Sequence, residues 1–157
     1  MTHTLTVAAD SLSSGYVYKF KFRAINQIVN SQDSSVSQFA LADQPLAPGV
    51  PTVMQSLTSD SQISLQWTKS SDTQSPGGDV TGYIVEMQDP DVGVFYEIYN
   101  GEHGFPDVTS LIVKTNITAG KDYRFRVKAA YLNGYSDYSS PDAIIYSCTY
   151  PSSPNEP

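Results

Sequence analysis

The chain repeats itself once, at a spacing that fixes the size of its folding unit. Leu12-Ser-Ser-Gly15-Tyr-Val-Tyr18-Lys-Phe20-Lys-Phe22-Arg-Ala24 returns as Ile117-Thr-Ala-Gly120-Lys-Asp-Tyr123-Arg-Phe125-Arg-Val127-Lys-Ala129, at a constant offset of 105 residues. A period near 100 residues is a whole small domain rather than a solenoid unit of about 20–50 residues. Residues 47–150 are long enough to bury a core of their own, and residues 1–46 are too short to do so. Proline marks the joint between them, Pro45-Leu-Ala-Pro48-Gly-Val-Pro51, and recurs at 151–157 as Pro-Ser-Ser-Pro-Asn-Glu-Pro. Proline at this density stiffens a linker and keeps strands from pairing across it. The sequence therefore reads as a window on a longer tandem array: a second half-domain at 1–46, a complete domain at 47–150, and a linker toward a further domain at 151–157.

Short alternating runs fill the complete unit. Gln62–Trp67 alternates polar and apolar with period two, as a strand with one buried face does. Gly82–Met87, Val94–Tyr99, Ser110–Val113, Tyr123–Tyr131 and Ala143–Tyr146 follow, separated by clusters of Gly, Pro, Asn and Asp. No window shows helical periodicity. Short strands with regular turn signals predict an all-β fold, an antiparallel β-sandwich. Tyr123, Phe125, Val127 and Ala129 share one strand face, and Ile63, Leu65 and Trp67 are expected to meet them from the opposing sheet. Tyr18, Phe20, Phe22 and Ala24 form the matching face of the first unit, which needs an opposing sheet of its own.

Charged residues are only 16% of the chain, so the surface must be built largely from Ser, Thr, Asn, Gln and Tyr. Residues 1–46 hold three basic and three acidic residues, while residues 47–157 hold six and thirteen, which places the whole net charge of −7 on the second part. That balance argues against nucleic acid or an anionic membrane as a partner. No apolar run approaches the ~18 residues a membrane span requires, and Met1 is followed by no signal-peptide core.

In order, the second unit presents a proline-rich lead-in, Trp67, a Gly-Tyr-x-Val strand at Gly82–Val85, a tyrosine corner at Ile117-x-x-Gly120-x-x-Tyr123, a Tyr-x-Phe-x-Val-x-Ala strand at Tyr123–Ala129, and a Gly-x-Ser turn at Gly134–Ser136. This series resembles the fibronectin type III family. Residues 1–46 match the second half of that module, strands E, F and G. The resemblance implies an immunoglobulin-like sandwich with Trp67, Tyr83, Tyr123 and Phe125 in its core, and Tyr18, Phe20 and Phe22 in that of the preceding domain. It also implies a non-enzymatic structural or adhesive module of an extracellular or cell-surface protein. An accessory domain of a secreted carbohydrate-active enzyme and a receptor ectodomain are the alternatives.

Few residues carry chemistry. The outward face of the repeated strand is basic in both units, Lys19, Lys21 and Arg23, then Arg124, Arg126 and Lys128. Cross-strand pairing with Glu86 is the expected role, and a ladder for an anionic glycan or an acidic neighbour is the alternative. Asn116-Ile-Thr118 is an N-glycosylation sequon, exposed if the chain is secreted. Asp72, Asp79, Asp89, Asp91, Glu102 and Asp107 are spaced as turn residues and match no calcium loop. His3 and His103 have no metal-ligand spacing. Cys148 is the only cysteine, aligns with Asp43 at the offset of 105, and is expected to be a small buried residue, with an inter-domain or inter-chain disulfide as the alternative. No catalytic residue, cofactor or metal is expected. The expected partners are neighbouring copies or adjacent domains of the same protein. Assembly into a fibre or array would cover the bare face of the first unit.

Overall fold

The computed structural model describes residues 9–71 and 78–148. Its strands in chain order are β1 (Val17–Phe20), β2 (Ser37–Ala40), β3 (Thr52–Val53), β4 (Ile63–Gln66), β5 (Gly82–Gln88), β6 (Phe95–Asn100), β7 (Ser110–Val113), β8 (Asp122–Tyr131), β9 (Gly134–Tyr135) and β10 (Ala143–Tyr146). The helical content of the described residues is a short 3-10 turn at Gln55–Leu57. No helix among them is long and apolar enough to cross a membrane.

Two antiparallel sheets face each other in the second unit. One runs β10-β8-β5-β6, with β9 also on β8, and the other runs β3-β4-β7. The alternation in β8 sets the arrangement, because period-two side chains point to opposite faces of a sheet. Tyr123, Phe125, Val127 and Ala129 point inward and are buried, while Arg124, Arg126 and Lys128 point outward. Ile63, Leu65 and Trp67 close the core from the other sheet, joined by Tyr83, Val85, Met87, Val113, Ala143 and Ile145. The Trp67 and Tyr83 rings meet edge to face with centroids 5.9 Å apart.

The corner before β8 is pinned as its sequence implies. The Thr118 N–H donates to the Tyr123 hydroxyl at 2.7 Å, and the Gly120 N–H donates to the Ser147 carbonyl at 2.8 Å. Gly120 sits at φ +77°, where a Cβ would be strained. The same corner recurs in the first unit. There the Ser13 N–H donates to the Tyr18 hydroxyl at 2.6 Å. The Gly15 N–H donates to the Leu41 carbonyl at 2.8 Å, with Gly15 at φ +83°.

The first unit otherwise differs from expectation. Its strands β1 and β2 pair antiparallel, with Tyr18 opposite Phe39 and Phe20 opposite Ser37. Tyr18, Phe20 and Phe39 stack in series, with centroids 6.4 and 6.0 Å apart. Tyr18 and Phe20 are only half-buried, and Phe22 is 70% exposed. Phe22 is thus not a core residue here. Its counterpart Val127 is fully buried because the β3-β4-β7 sheet covers it, and no such sheet lies over Phe22 among the described residues. The strand E expected in the first unit falls within residues 1–8, outside the described residues, as do the proline-rich segment 151–157, His3 and Asp72.

Cys148 needs two corrections. It is exposed rather than buried. It also corresponds to Ala42 rather than Asp43, because Gly120 bonds Ser147 where Gly15 bonds Leu41, an offset of 106. One residue is inserted between Ser139 and Ala143 relative to the segment between Ser34 and Ser37.

Replacing Trp67 by Ala removes the ring on which the two sheets close. The expected loss is about 3–5 kcal/mol, read as a shift of the denaturant midpoint at unchanged slope. A midpoint that stays in place would take Trp67 out of the core.

Candidate functional site

Two of the three basic residues on the outer face of β8, Arg126 and Lys128, form a ladder with neighbours of their own unit. Register places Arg126 opposite Glu86 of β5, and the Arg126 Nε and Nη2 atoms both donate to Glu86 Oε2, at 2.8 and 2.6 Å. The guanidinium lies between two rings, 3.9 Å from the centroids of both Phe95 and Tyr138. The Tyr138 hydroxyl donates to Glu86 Oε1 at 2.6 Å. Lys128 extends the stack, 4.4 Å from the Tyr135 ring, and donates to the Tyr138 hydroxyl at 3.0 Å. Burial pushes the Glu86 carboxyl up, but the Tyr138 hydroxyl and the Arg126 guanidinium outweigh it and hold the group below its ordinary range. Cation–π stacking of this kind is worth about 0.5–2 kcal/mol, depending on desolvation.

Two buried serines hold Tyr138 in place. The Ser136 N–H donates to the Ala129 carbonyl while the Ala129 N–H donates back to Ser136 Oγ, both at 2.8 Å. Ser139 clamps Val127 in the same way, at 2.8 and 3.1 Å. Each serine oxygen replaces a strand acceptor, so the edge of β8 away from β5 stays paired where no regular strand runs along it. The first unit builds the same device at the same offset of 105: Ser31 clamps Ala24, and Ser34 clamps Phe22. Asp33 stands where Tyr138 stands. It accepts from Lys21 Nζ at 2.5 Å and from Arg23 Nε at 2.8 Å. Arg23 first, then Lys21, holds its carboxyl below the usual range. Those two bridges are exposed and contribute little. Sequence reasoning singled out the basic residues but missed the serine clamps. The paired Ser-x-x-Ser at both offsets was the available signal.

The joint between the units is a second constructed feature. Asn133, on the turn between β8 and β9, grips the end of β2 with both amide atoms. The Ala40 N–H donates to Asn133 Oδ1 at 2.8 Å, and Asn133 Nδ2 donates to the Ala40 carbonyl at 2.7 Å. Pro45, Pro48 and Pro51 are buried along the linker. The Ser70 hydroxyl donates to the Leu46 carbonyl, and the Gly49 N–H donates to the Thr68 carbonyl at 3.1 Å. A cleft of 340 Å³ opens beside this turn, lined by residues including Thr81, Glu102, His103, Tyr131, Asn133 and Tyr135. Burial, and after it a hydrogen bond to Glu102, pushes the Tyr135 phenol up.

The remaining sequence candidates stay apart. Asn116 is exposed at φ +61°, at the turn before the Tyr123 corner, with Nδ2 3.4 Å from the Tyr96 hydroxyl. Asp89 caps its own turn by accepting from the Asp91 and Val92 N–H groups. Asp91 pairs with Lys121 and Asp107 with Lys69. No cluster able to hold a metal ion occurs among the described residues. His103 lines the cleft and is exposed.

The Fibronectin type III domain family model matches residues 46–144. Over 101 residues the chain is 34% identical to Juxtamembrane domain-associated catenin of Caenorhabditis elegans, an alignment covering 64% of this chain and 7% of that protein. The chain thus spans a small part of that relative's length. Among solved structures, the fibronectin type-III domain of human fibronectin type III domain containing protein 3 is 27% identical, with 71% of this chain and 95% of that one covered and a TM-score of 0.53. The FN1–FN3 domains of chicken CNTN1 are 18% identical and share the fold over 88% of this chain and 45% of theirs, with a TM-score of 0.56.

Because its carboxyl titrates below the ordinary carboxylate range, Glu86 contributes stability that is present above that range and is lost as pH falls through its lowered folded value. Glu86→Gln should therefore cost about 1–2 kcal/mol at neutral pH. The gap to the parent chain should close in acid below the ordinary carboxylate range. Denaturant titrations of both proteins at several pH values measure it, and a gap independent of pH would remove the ladder from the stability of the fold.

Proposed function

The chain belongs to the fibronectin type III family, and on that premise we propose that it works as a non-enzymatic spacer and adhesive module of a tandem-repeat protein, outside the cell or at its surface. The observation that carries the proposal is the joint. Residues 9–46 repeat the corner, the paired strands and the serine clamps of the second unit, as the second half of a preceding domain would. The Asn133 amide holds that half against its neighbour, and the contacts of Leu46 and Gly49 fasten the linker to the second unit. An array that must keep a set distance between its ends needs such joints more than it needs pockets. The ladder on β8 supports the same reading, since Arg126 and Lys128 are engaged by Glu86, Tyr135 and Tyr138 of their own unit.

Tyr18, Phe20 and Phe39 present a half-covered apolar face, with Phe22 open beyond them. The rest of a preceding domain covers it within one polypeptide, and a neighbouring copy covers it in a fibre or array. In a secretory setting the exposed Asn116 sequon carries an N-linked glycan.

Asn133→Ala tests the spacer. Each of the two lost hydrogen bonds is worth about 1 kcal/mol, so open arrangements of the joint should become roughly thirtyfold more populated. Small-angle X-ray scattering should show a broader distance distribution for the variant at unchanged thermal stability of residues 47–150. An unaltered distribution would overturn the spacer reading.

A further inference from the structure

We propose that Asn133 is a site of spontaneous deamidation, and that its conversion releases the joint between the two units. The inference rests on the joint described above and adds a covalent event to it.

The sequence holds two Asn-Gly pairs among its described residues, Asn100-Gly101 and Asn133-Gly134. This dipeptide is the most susceptible to deamidation, because glycine lacks the Cβ that shields its backbone nitrogen. The glycine nitrogen attacks the asparagine Cγ and its proton is lost. The Cγ–Nδ2 bond breaks, ammonia leaves, and a five-membered succinimide forms. Water then opens the ring, giving aspartate or isoaspartate. The balance is asparagine plus water to aspartate plus ammonia, with no oxidation and no further reactant.

The structure treats the two pairs differently. Gly101 is buried, and its N–H donates to the Tyr83 carbonyl at 2.9 Å. Asn100 lies at the end of β6, opposite Ile84, with its Nδ2 on Glu97 and its Oδ1 accepting from the Glu102 N–H. Attack there requires β6 to leave the sheet. Asn133 instead lies exposed on the tight turn between Tyr131 and Gly134. What restrains its amide is the pair of bonds to Ala40. Gly134 pairs with Tyr131 across that turn, so attack requires the two-residue β9 to open as well as the joint, a smaller step than detaching β6.

The product cannot re-form the clamp. Asn133 Nδ2 is the donor to the Ala40 carbonyl at 2.7 Å, and deamidation replaces it by a carboxylate oxygen. Two acceptors then face each other and the Ala40 carbonyl has lost its donor. The isoaspartate product also lengthens the turn backbone by one methylene. Either product adds one negative charge to a chain already at −7. The corresponding loop of the first unit reads Asn26-Gln-Ile-Val-Asn30 and holds no Asn-Gly, so the device belongs to the second unit alone.

The test is peptide mapping of the 157-residue chain incubated in mildly alkaline buffer, following the mass gain of about 1 Da at each asparagine. In the folded chain Asn133 should convert at least about tenfold faster than Asn100, and in urea the two should convert at similar rates. The converted species, separated by charge, should show a displaced Ala40 amide resonance and the broader scattering distribution. Asn133→Asp should reproduce both, and the converted parent chain gives the same readout if that variant fails to fold. Equal rates at the two asparagines in the folded chain, or a converted Asn133 with the Ala40 resonance in place, would overturn the inference. A broader distribution in Asn133→Ala with no selective conversion at Asn133 sinks the deamidation site and leaves the spacer. Selective conversion that displaces Ala40 but leaves the scattering of both samples unaltered sinks the spacer and keeps the site.

Discussion

Everything in the second unit hangs on burying one face of β8 against β4. Tyr123, Phe125 and Val127 meet Ile63, Leu65 and Trp67 across the gap between the sheets. At about 25 cal/mol per Å² of apolar surface, that contact outweighs any polar interaction in the chain. Once it is made, period two leaves no freedom to the alternate residues. Arg124, Arg126 and Lys128 must point away from the core, and register with β5 delivers Arg126 to Glu86. The ladder follows from the core rather than supporting it.

The serine clamps solve a problem this choice creates. β8 is long, and on the edge away from β5 it has no regular partner between β9 and β10. Ser136 and Ser139 supply acceptors and donors from one short stretch of chain, and their spacing turns Tyr138 onto the guanidinium between them. The first unit keeps Ser31 and Ser34 but exchanges the ring for the Asp33 carboxylate. The backbone device is common to both units, and the side chain it displays is not.

The strand positions and inner faces were legible from the sequence because alternation and turn residues report directly on period and burial. The tyrosine corner was legible because glycine and tyrosine recur at fixed distance. Phe22 misled for a physical reason: an alternating pattern records which face a residue occupies, and burial further requires something opposite. The serine clamps were obscured by a chain rich in serine, where two more carry little signal. Stacking of Phe95 and Tyr138 on Arg126 depends on strand order, which brings together residues from three separate segments. The grip of Asn133 on Ala40 spans 93 residues of sequence, and nothing local announces it.

Consider the joint under tension. A pull along the chain separates β2 from the second unit, and the Asn133 amide, two hydrogen bonds acting side by side, resists first. When it yields, the domain core stays folded, because Leu46 and Gly49 remain fastened to Ser70 and Thr68, just past Trp67 at the end of β4. The slack released is limited to the segment from Ala40 to Leu46, which spans about 20 Å when fully extended. On the spacer reading, the length such a joint can yield is set by this linker and leaves the packing of the two sheets untouched.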